Sequence, residues 1–226
     1  MFDVKVNITR LEQSVRGHEA GEIEKGKIVF YGDSAFTRWD GKHDGNVNLE
    51  DVIRNKDGSK AVINHGIGGS TSEELLYYYP RLVRAWEPKA LVFQSYCNDR
   101  DCAYSAEEIM EIQSRIFEYA RKDFPGIKIF VCDARPLKKH VGDLCWMTWY
   151  NHLKQYNELL YTYCEKHPDV TLLSHAKNPI FFADEESTGN YNKARMDLFI
   201  ADEVHYNHEG YELYRGFFAE ALADLL

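Results

Sequence analysis

The 226-residue sequence lacks both a cluster of basic residues and a long hydrophobic run. Its formal net charge of -9 disfavours binding to nucleic acid or to an anionic membrane surface, because phosphate groups are bound by clustered Lys and Arg. No apolar stretch approaches the roughly 18 residues that a membrane-spanning helix needs. The start, Met1 to Lys5, lacks the charged and then apolar pattern of a signal peptide. We therefore expect a soluble, cytoplasmic protein, and the sequence does not indicate its oligomeric state.

Cysteine is also scarce, and the sequence has no internal repeat and no low-complexity tract. The five cysteines are odd in number and scattered, so we expect them to be reduced and mostly buried rather than part of a disulfide framework. The length fits one domain, which we place over residues 1–226. Residues 1–26 form an N-terminal extension or an extra strand in this prediction, because Val4, Val6 and Ile8 alternate with polar residues.

Short apolar, β-branched runs alternate with longer stretches of helical period, which is typical of strand–helix–strand units. Each run is nearly continuous in apolar residues, as expected for strands covered on both faces. The predicted strands are Lys27–Tyr31, Lys60–Asn64, Ala90–Gln94, Ile127–Cys132 and Val170–Leu173. This pattern predicts an α/β fold, a three-layer α/β/α sandwich around a central, mostly parallel sheet of about five strands.

Two predicted helices have recognisable starts. Thr71 and Ser105 are each followed three residues later by Glu, which is the spacing of a capping box. A last helix is predicted over about 207–226, and the stretch from about 174 to 201 is irregular. In a parallel sheet the loops that carry function leave the carboxyl ends of the strands, so residues directly after the strand runs are candidates for chemistry.

The first such segment is Gly32-Asp33-Ser34, which follows the first strand. A Ser hydroxyl between a strand and a helix can lie near backbone N–H groups that favour developing negative charge, which suits a nucleophile. Asp and Ser before a helix are also common as helix caps. The tripeptide alone leaves both interpretations open.

The second segment, residues 64–71, contains Gly66, Gly68 and Gly69. Glycines let the backbone approach a ligand and direct an N–H group towards it, but they also make tight turns. A phosphate-binding loop is disfavoured, because the segment has no Gly-Lys-Ser/Thr ending and no dinucleotide-binding spacing. The third segment contains Asn98, whose amide can donate to an oxyanion or simply form a turn.

Near the carboxyl terminus, Asp202 and His205 are three residues apart, so the carboxylate can orient the imidazole as in a general base. A surface Asp–His pair is the alternative. His208 adds a His-x-x-His spacing, but without a third acidic or thiolate ligand we predict no metal site.

These segments follow one another in the order Ser, Gly, Asn, and Asp with His. In this order the chain resembles the SGNH (GDSL-type) hydrolase family, with its flavodoxin-like fold, and residues 64–71 resemble the platelet-activating-factor acetylhydrolase and acyl-esterase branch. The resemblance implies that Ser34 is the nucleophile and that Asp202 and His205 complete a triad. It implies an oxyanion hole of the Ser34 and Gly69 N–H groups and the Asn98 amide, with no metal or organic cofactor.

The implied function is a serine esterase that hydrolyses short acyl esters, acetyl above all, of a carbohydrate or another small polar molecule. An acyltransferase using the same Ser34 intermediate is an alternative. A catalytically inert binding module is another, because Tyr96 stands where the family usually has Gly. Candidate substrate contacts are Asp33, Arg38, Trp39 and Tyr96. Further rings that could stack on a sugar are Tyr104, Trp146 and Trp149.

Overall fold

The computed structural model describes residues 5–43, 46–135, 137 and 146–226. Within these residues, five strands form one sheet in which every neighbouring pair is parallel. The strands are β1 (Ile28–Gly32), β2 (Val62–Gly66), β3 (Ala90–Gln94), β4 (Lys128–Cys132) and β5 (Val170–Leu173). Their order across the sheet is β2-β1-β3-β4-β5, the flavodoxin-like arrangement, so the predicted fold is confirmed.

Helices lie on both faces of the sheet. They are α1 (Glu12–Glu19), α2 (Ser34–Thr37), α3 (Leu49–Val52), α4 (Ser72–Leu82), α5 (Cys97–Asp101), α6 (Ala106–Asp123), α7 (Trp146–Lys166) and α8 (His208–Ala221). Short 3-10 turns occupy the predicted irregular stretch, at Pro179–Phe181, Glu185–Ser187, Tyr191–Lys193 and Met196–Leu198. No helix in the described residues is long and apolar enough to cross a membrane.

Two apolar cores separate the layers. Alternate side chains of β1 point to opposite faces, so Val29 and Tyr31 pack in one core while Ile28 and Phe30 pack in the other. The first core contains buried residues of α4, α6 and α7, and the second contains the apolar face of α8. The apolar runs of the sequence are therefore explained by burial on both sides.

Both predicted capping boxes are present. The Thr71 and Ser105 hydroxyls accept from the N–H groups of Glu74 and Glu108, whose carboxylates accept from the cap residues' N–H groups in return. The last helix is shorter than predicted: α8 ends at Ala221 and a 3-10 turn, Ala223–Leu225, follows. The described cysteines are reduced thiols, as expected, but they are not mostly buried: Cys132 is buried, whereas Cys97, Cys102 and Cys164 are only half-buried.

The amino-terminal segment differs from its prediction. Val6 and Ile8 form no strand in the described part, and the segment instead contains the helix α1. The reason is packing: Val15 is fully buried against the α4 side of the core, which holds α1 as a helix. Val4 lies outside the described residues.

Two glycines let the turn after β1 approach the sheet closely. A Cβ added at Gly32 would lie 2.2 Å from the Gln94 carbonyl oxygen, and one added at Gly66 would lie 2.2 Å from the Thr37 backbone nitrogen. Both obstacles are backbone atoms, which cannot rotate aside as a side chain can. Glycine at position 32 therefore allows the close approach of β1 to the end of β3, and glycine at position 66 allows α2, which begins at Ser34, to pack directly on the end of β2.

We expect Gly66→Ala to lower the free energy of unfolding by about 1–3 kcal/mol, because the new methyl group must displace the α2 backbone. The matched control is Gly68→Ala, where the nearest atoms to a new Cβ are side-chain atoms of Thr37 at 3.8 Å. Urea unfolding midpoints compare the two variants. Equal stability of both would contradict the close-packing argument.

Candidate active site

Ser34 lies where β1 gives way to α2. The preceding residue, Asp33, is the N-cap of α2, and its carboxylate accepts from the Ala35 N–H at 2.9 Å. Ser34 is thus the first residue of the helix, and its Oγ lies 2.8 Å from Nε2 of His205, which is 171 residues away in the chain. The fold brings the two predicted residues into hydrogen-bonding contact.

His205 is held from its other side by Asp202. The imidazole Nδ1 lies 2.6 Å from Asp202 Oδ2, and Oδ1 of the same carboxylate accepts from the N–H groups of Val204 and His205, each at 2.9 Å. Glu203 between them has a positive φ of 60°, which closes this tight turn. Since the carboxylate accepts at Nδ1, Nδ1 carries the proton and Nε2 is free to accept one from Ser34.

The surroundings favour a neutral imidazole beside an ionised carboxylate. Burial lowers the pKa of His205 from its usual 6.5, and the hydrogen bond to Asp202 opposes this only in part. Burial alone would raise the pKa of Asp202, but the hydrogen bonds from His205 and Val204 outweigh it and lower the pKa to about 2. At neutral pH the pair is therefore ready to accept a proton.

The three candidate oxyanion donors belong to residues that line the same cleft. Ser34, Gly69 and Asn98 all line it together with His205. Within the described residues, neither the Ser34 nor the Gly69 N–H has an acceptor. Asn98 uses one amide N–H to hold the Ser70 carbonyl at 2.9 Å, and the amide has a second N–H to offer.

Gly69 adopts a positive φ of 75°, a conformation that strongly favours glycine. Its carbonyl accepts from Nη2 of Arg10 at 2.5 Å, and the same guanidinium pairs with the fully buried Glu74 carboxylate at 2.8 Å. Arg10 thus fixes the peptide group that follows Gly69. Sequence reasoning missed Arg10, because nothing in the pattern of residues 1–26 relates it to a loop 59 positions away.

Asp99, next to Asn98, holds the start of α5 in place by hydrogen bonds. Its buried carboxyl accepts from the Ser72 N–H at 2.6 Å and from the Ser95 hydroxyl at 2.8 Å. Burial raises the pKa of Asp99 to about 7, and the bonds from Ser72 and Ser95 work against that rise. These bonds tie the start of α5 to the start of α4, and they set the position of Asn98.

The four predicted substrate contacts separate into two groups. Arg38 lines the cleft, with its guanidinium 3.7 Å from the Asp202 carboxylate. The other three correct the prediction. Asp33 is 6% exposed and caps α2, and its pKa is raised by burial. Trp39 is fully buried against Phe30, Tyr211 and Phe218.

Tyr96 turns away from the cleft towards α7. Its ring stacks on Tyr156 at a centroid distance of 4.7 Å, and its hydroxyl donates to Nδ1 of His152 at 2.9 Å. The phenol that replaces the usual Gly is therefore core material and does not project at Asn98. Tyr104 and Trp149 are each 1% exposed, so these rings are not sugar platforms either, and the Trp146 side chain lies outside the described part.

The cleft itself has a volume of about 380 Å³. Thr37, His43, Gly68 and Val204 also line it, and of these four the sequence reasoning had singled out only Gly68. No group of three or more His, Cys, Asp or Glu in the described residues could hold a metal ion, and His208 lies in α8 as its first residue. The chemical groups at hand are a hydroxyl, an imidazole, a carboxylate and N–H donors.

Solved structures share this architecture. A GDSL-like lipase from Bacteroides thetaiotaomicron has a TM-score of 0.71 at 18% identity, covering 97% of this chain and 100% of the other. A Streptococcus pneumonia protein provisionally described as a platelet activating factor has a TM-score of 0.67 at 15% identity, covering 96% and 92%. The acetyl xylan esterase AlAXEase has a TM-score of 0.65 at 17% identity, covering 87% and 99%. The search of curated proteins found no match.

At these identities the structures establish the fold alone. The sequence is more specific, because the model of the GDSL-like Lipase/Acylhydrolase family matches residues 30–213. That range runs from β1 into α8 and includes Ser34, Gly69, Asn98, Asp202 and His205. The chain belongs to the GDSL-like lipase/acylhydrolase family.

Proposed function

We propose that the protein is a serine esterase that hydrolyses short acyl esters, acetyl above all, through an acyl-enzyme on Ser34. The observation that carries this proposal is the continuous hydrogen-bonded chain from Asp202 through His205 to Ser34, with contacts of 2.6 and 2.8 Å. A serine held by a neutral imidazole and an ionised carboxylate is an activated nucleophile.

The reaction proceeds in two acyl transfers. The Ser34 Oγ attacks the ester carbonyl as its proton passes to Nε2 of His205, and Asp202 stabilises the imidazolium that forms. The Ser34 and Gly69 N–H groups and the Asn98 amide receive the oxyanion, and loss of one such donor typically raises the barrier by about 3 kcal/mol. The bond to the alcohol oxygen then breaks, and His205 returns the proton to that oxygen. Water, activated in the same way, opens the acyl-enzyme and releases the acid.

The preference for a short acyl group is supported by the lining of the cleft. Val204 is the only aliphatic side chain among the described residues that line it, and the others are glycine, polar or charged. A long acyl chain gains affinity by burying its methylenes, about 0.8 kcal/mol for each, and finds almost no apolar surface here. An acetyl group has no methylene to bury.

The test combines labelling with a chain-length series. A fluorophosphonate probe should label the protein at Ser34, and kcat/KM should fall from p-nitrophenyl acetate to the butyrate and the octanoate. Absence of both labelling and hydrolysis would overturn the proposal in favour of an inert binding module. Labelling with acyl transfer to added alcohols in preference to water would indicate an acyltransferase instead.

The pH dependence follows from His205. Protonated imidazole cannot accept the Ser34 proton, so kcat/KM should rise with pH through the pKa of His205 and then level off. Because burial lowers that pKa, we expect the midpoint below 6.5. Asp202, with its pKa of about 2, stays ionised throughout this range. A pH–rate profile on p-nitrophenyl acetate measures the midpoint, and a value well above 6.5 would contradict this environment.

A further inference from the structure

A second cavity, of about 410 Å³, adjoins the reactive cleft. The cleft and this cavity share Thr37 and Gly68 in their walls. The alcohol part of an ester bound at Ser34 can therefore extend from the cleft into the cavity. Its far wall is α1, which contributes Ser14, Gly17 and His18. The volume falls in the range of roughly 300–1,000 Å³ that is usual for small-molecule sites.

The chemistry of this cavity is unusual for a ligand site. Small-molecule pockets are lined mainly by apolar and aromatic side chains with a few polar groups. Here every lining residue that the structure describes is glycine, polar or charged. An acyl chain or an aromatic ring would gain little by entering, whereas a group covered with hydroxyls would exchange bonds to water for bonds to protein.

Both hydrogen-bond donors and hydrogen-bond acceptors line the cavity. The Nε2 of His18 donates to the Gly66 carbonyl at 3.0 Å, which leaves Nδ1 as an acceptor, and burial lowers the pKa of His18 so that the ring stays neutral. The Asp40 carboxylate is fixed by the N–H groups of Lys42 and His43, and the Lys42 ammonium adds a donor. Sugar hydroxyls both donate and accept, so this mixture suits them.

The cavity continues into a third one of about 330 Å³, which shares Gly17, His18, Glu50 and Asn64 with it. Glu50 is held between them by the Asn64 N–H and by Lys60, at 2.9 Å each. Ile63 and Trp86 give the third cavity a small apolar part, and its other described lining residues are glycine, polar or charged. The two cavities together form a mainly polar channel, here called the polar channel, that leads away from the reacting serine.

We propose that this polar channel beside α1 binds the alcohol part of the substrate, and that this part is a sugar or a similar polyol. The inference rests on the proposed esterase function and specifies its substrate. During acyl transfer the sugar oxygen is the leaving group: its bond to the carbonyl carbon breaks, it takes the proton from His205, and the free sugar departs through the channel.

Gly17 offers a sharp test, because it lines both cavities and a Cβ added there meets nothing within 4 Å. Gly17→Trp should therefore fill the channel with its indole ring. Gly216→Trp, at an equally open helical glycine in α8, is the control for bulk. The substrates are monoacetylated methyl xyloside, cyclohexyl acetate and ethyl acetate. The ethanol part of ethyl acetate is too small to reach the channel, so this ester serves as the reference.

We expect the wild-type kcat/KM for the xyloside to exceed that for cyclohexyl acetate by at least about tenfold, a difference of about 1.4 kcal/mol. The ratio of xyloside to ethyl acetate should fall at least about tenfold in Gly17→Trp and change less than about twofold in Gly216→Trp. Hydrolysis of ethyl acetate without preference for the xyloside, or an unchanged ratio in Gly17→Trp, would overturn the inference and leave the esterase proposal intact.

If no ester is hydrolysed, the proposed function fails, and binding decides the channel separately. The acetylated xyloside is then titrated calorimetrically into Ser34→Ala protein with and without Gly17→Trp. Binding that Gly17→Trp weakens at least about tenfold would support the polar channel. Binding that is absent, or unaffected by Gly17→Trp, would overturn it.

Discussion

Ser34→Ala should lower kcat on p-nitrophenyl acetate by about 10⁴-fold or more and should abolish fluorophosphonate labelling. The variant removes the oxygen that is proposed to form the acyl-enzyme. Among the described residues, Thr37 is the other hydroxyl residue that lines the cleft, and its hydroxyl donates to the Asp33 carbonyl at 3.3 Å. The Ser34 hydroxyl bonds to His205 Nε2 at 2.8 Å, so its loss leaves a partly exposed imidazole that water can reach. What activity remains would come from the N–H donors and from binding, as in other enzymes that have lost their nucleophile.

The matched control is Ser114→Ala, the same chemical change at a half-buried helical serine on α6. It should retain activity and labelling. The melting temperatures of both variants should stay close to that of the wild type, because neither change opens a cavity in the core. Retention of a tenth or more of the wild-type rate in Ser34→Ala would show that another residue is the nucleophile.

Asp202→Asn should reduce kcat by about 10⁴-fold, with little change in KM. Asn keeps an oxygen that can accept from the Val204 and His205 N–H groups, so the turn can persist. The amide nitrogen then faces His205 Nδ1 and donates to it, which moves the imidazole proton to Nε2. In that tautomer His205 has no lone pair for the Ser34 proton, although the three side chains remain in place.

Asp184→Asn is the control, since Asp184 is also a turn carboxylate that accepts backbone N–H, from Ser187, but it lies away from the cleft. Steady-state kinetics of both variants, with circular dichroism to check folding, make the comparison. A loss of less than about tenfold in Asp202→Asn would mean that the carboxylate does not set the imidazole tautomer.

The sheet and the order of the candidate residues could be predicted because their signals are local. β3 and β5 match their predicted bounds, while β1 and β2 begin and end one or two residues later than predicted. The differences arise because Gly32 and Gly66 end those strands, and glycine carries no apolar signal that a strand prediction can use. The capping boxes at Thr71 and Ser105 could also be predicted, because in each of them the hydroxyl residue and its Glu partner lie within one helical turn.

Features that depend on distant packing could not be predicted. Trp39 and Tyr96 are next to candidate segments in sequence, yet their side chains turn into the core, and only the positions of α8 and α7 determine that. Helix α1 forms because Val15 is buried against another helix. The contact of Arg10 with Gly69 joins positions that no periodicity connects.

That contact also bears on where the working enzyme begins. The family match starts at residue 30, inside β1, and a truncation made just before β1, at residue 27, would keep the whole sheet, Ser34 and His205. It would discard Arg10, and with it the clamp on the Gly69 carbonyl and the partner of the fully buried Glu74 carboxylate. The shortest fragment with an intact reaction centre is therefore longer than the shortest fragment with an intact sheet, and the difference is the segment least conspicuous in the sequence.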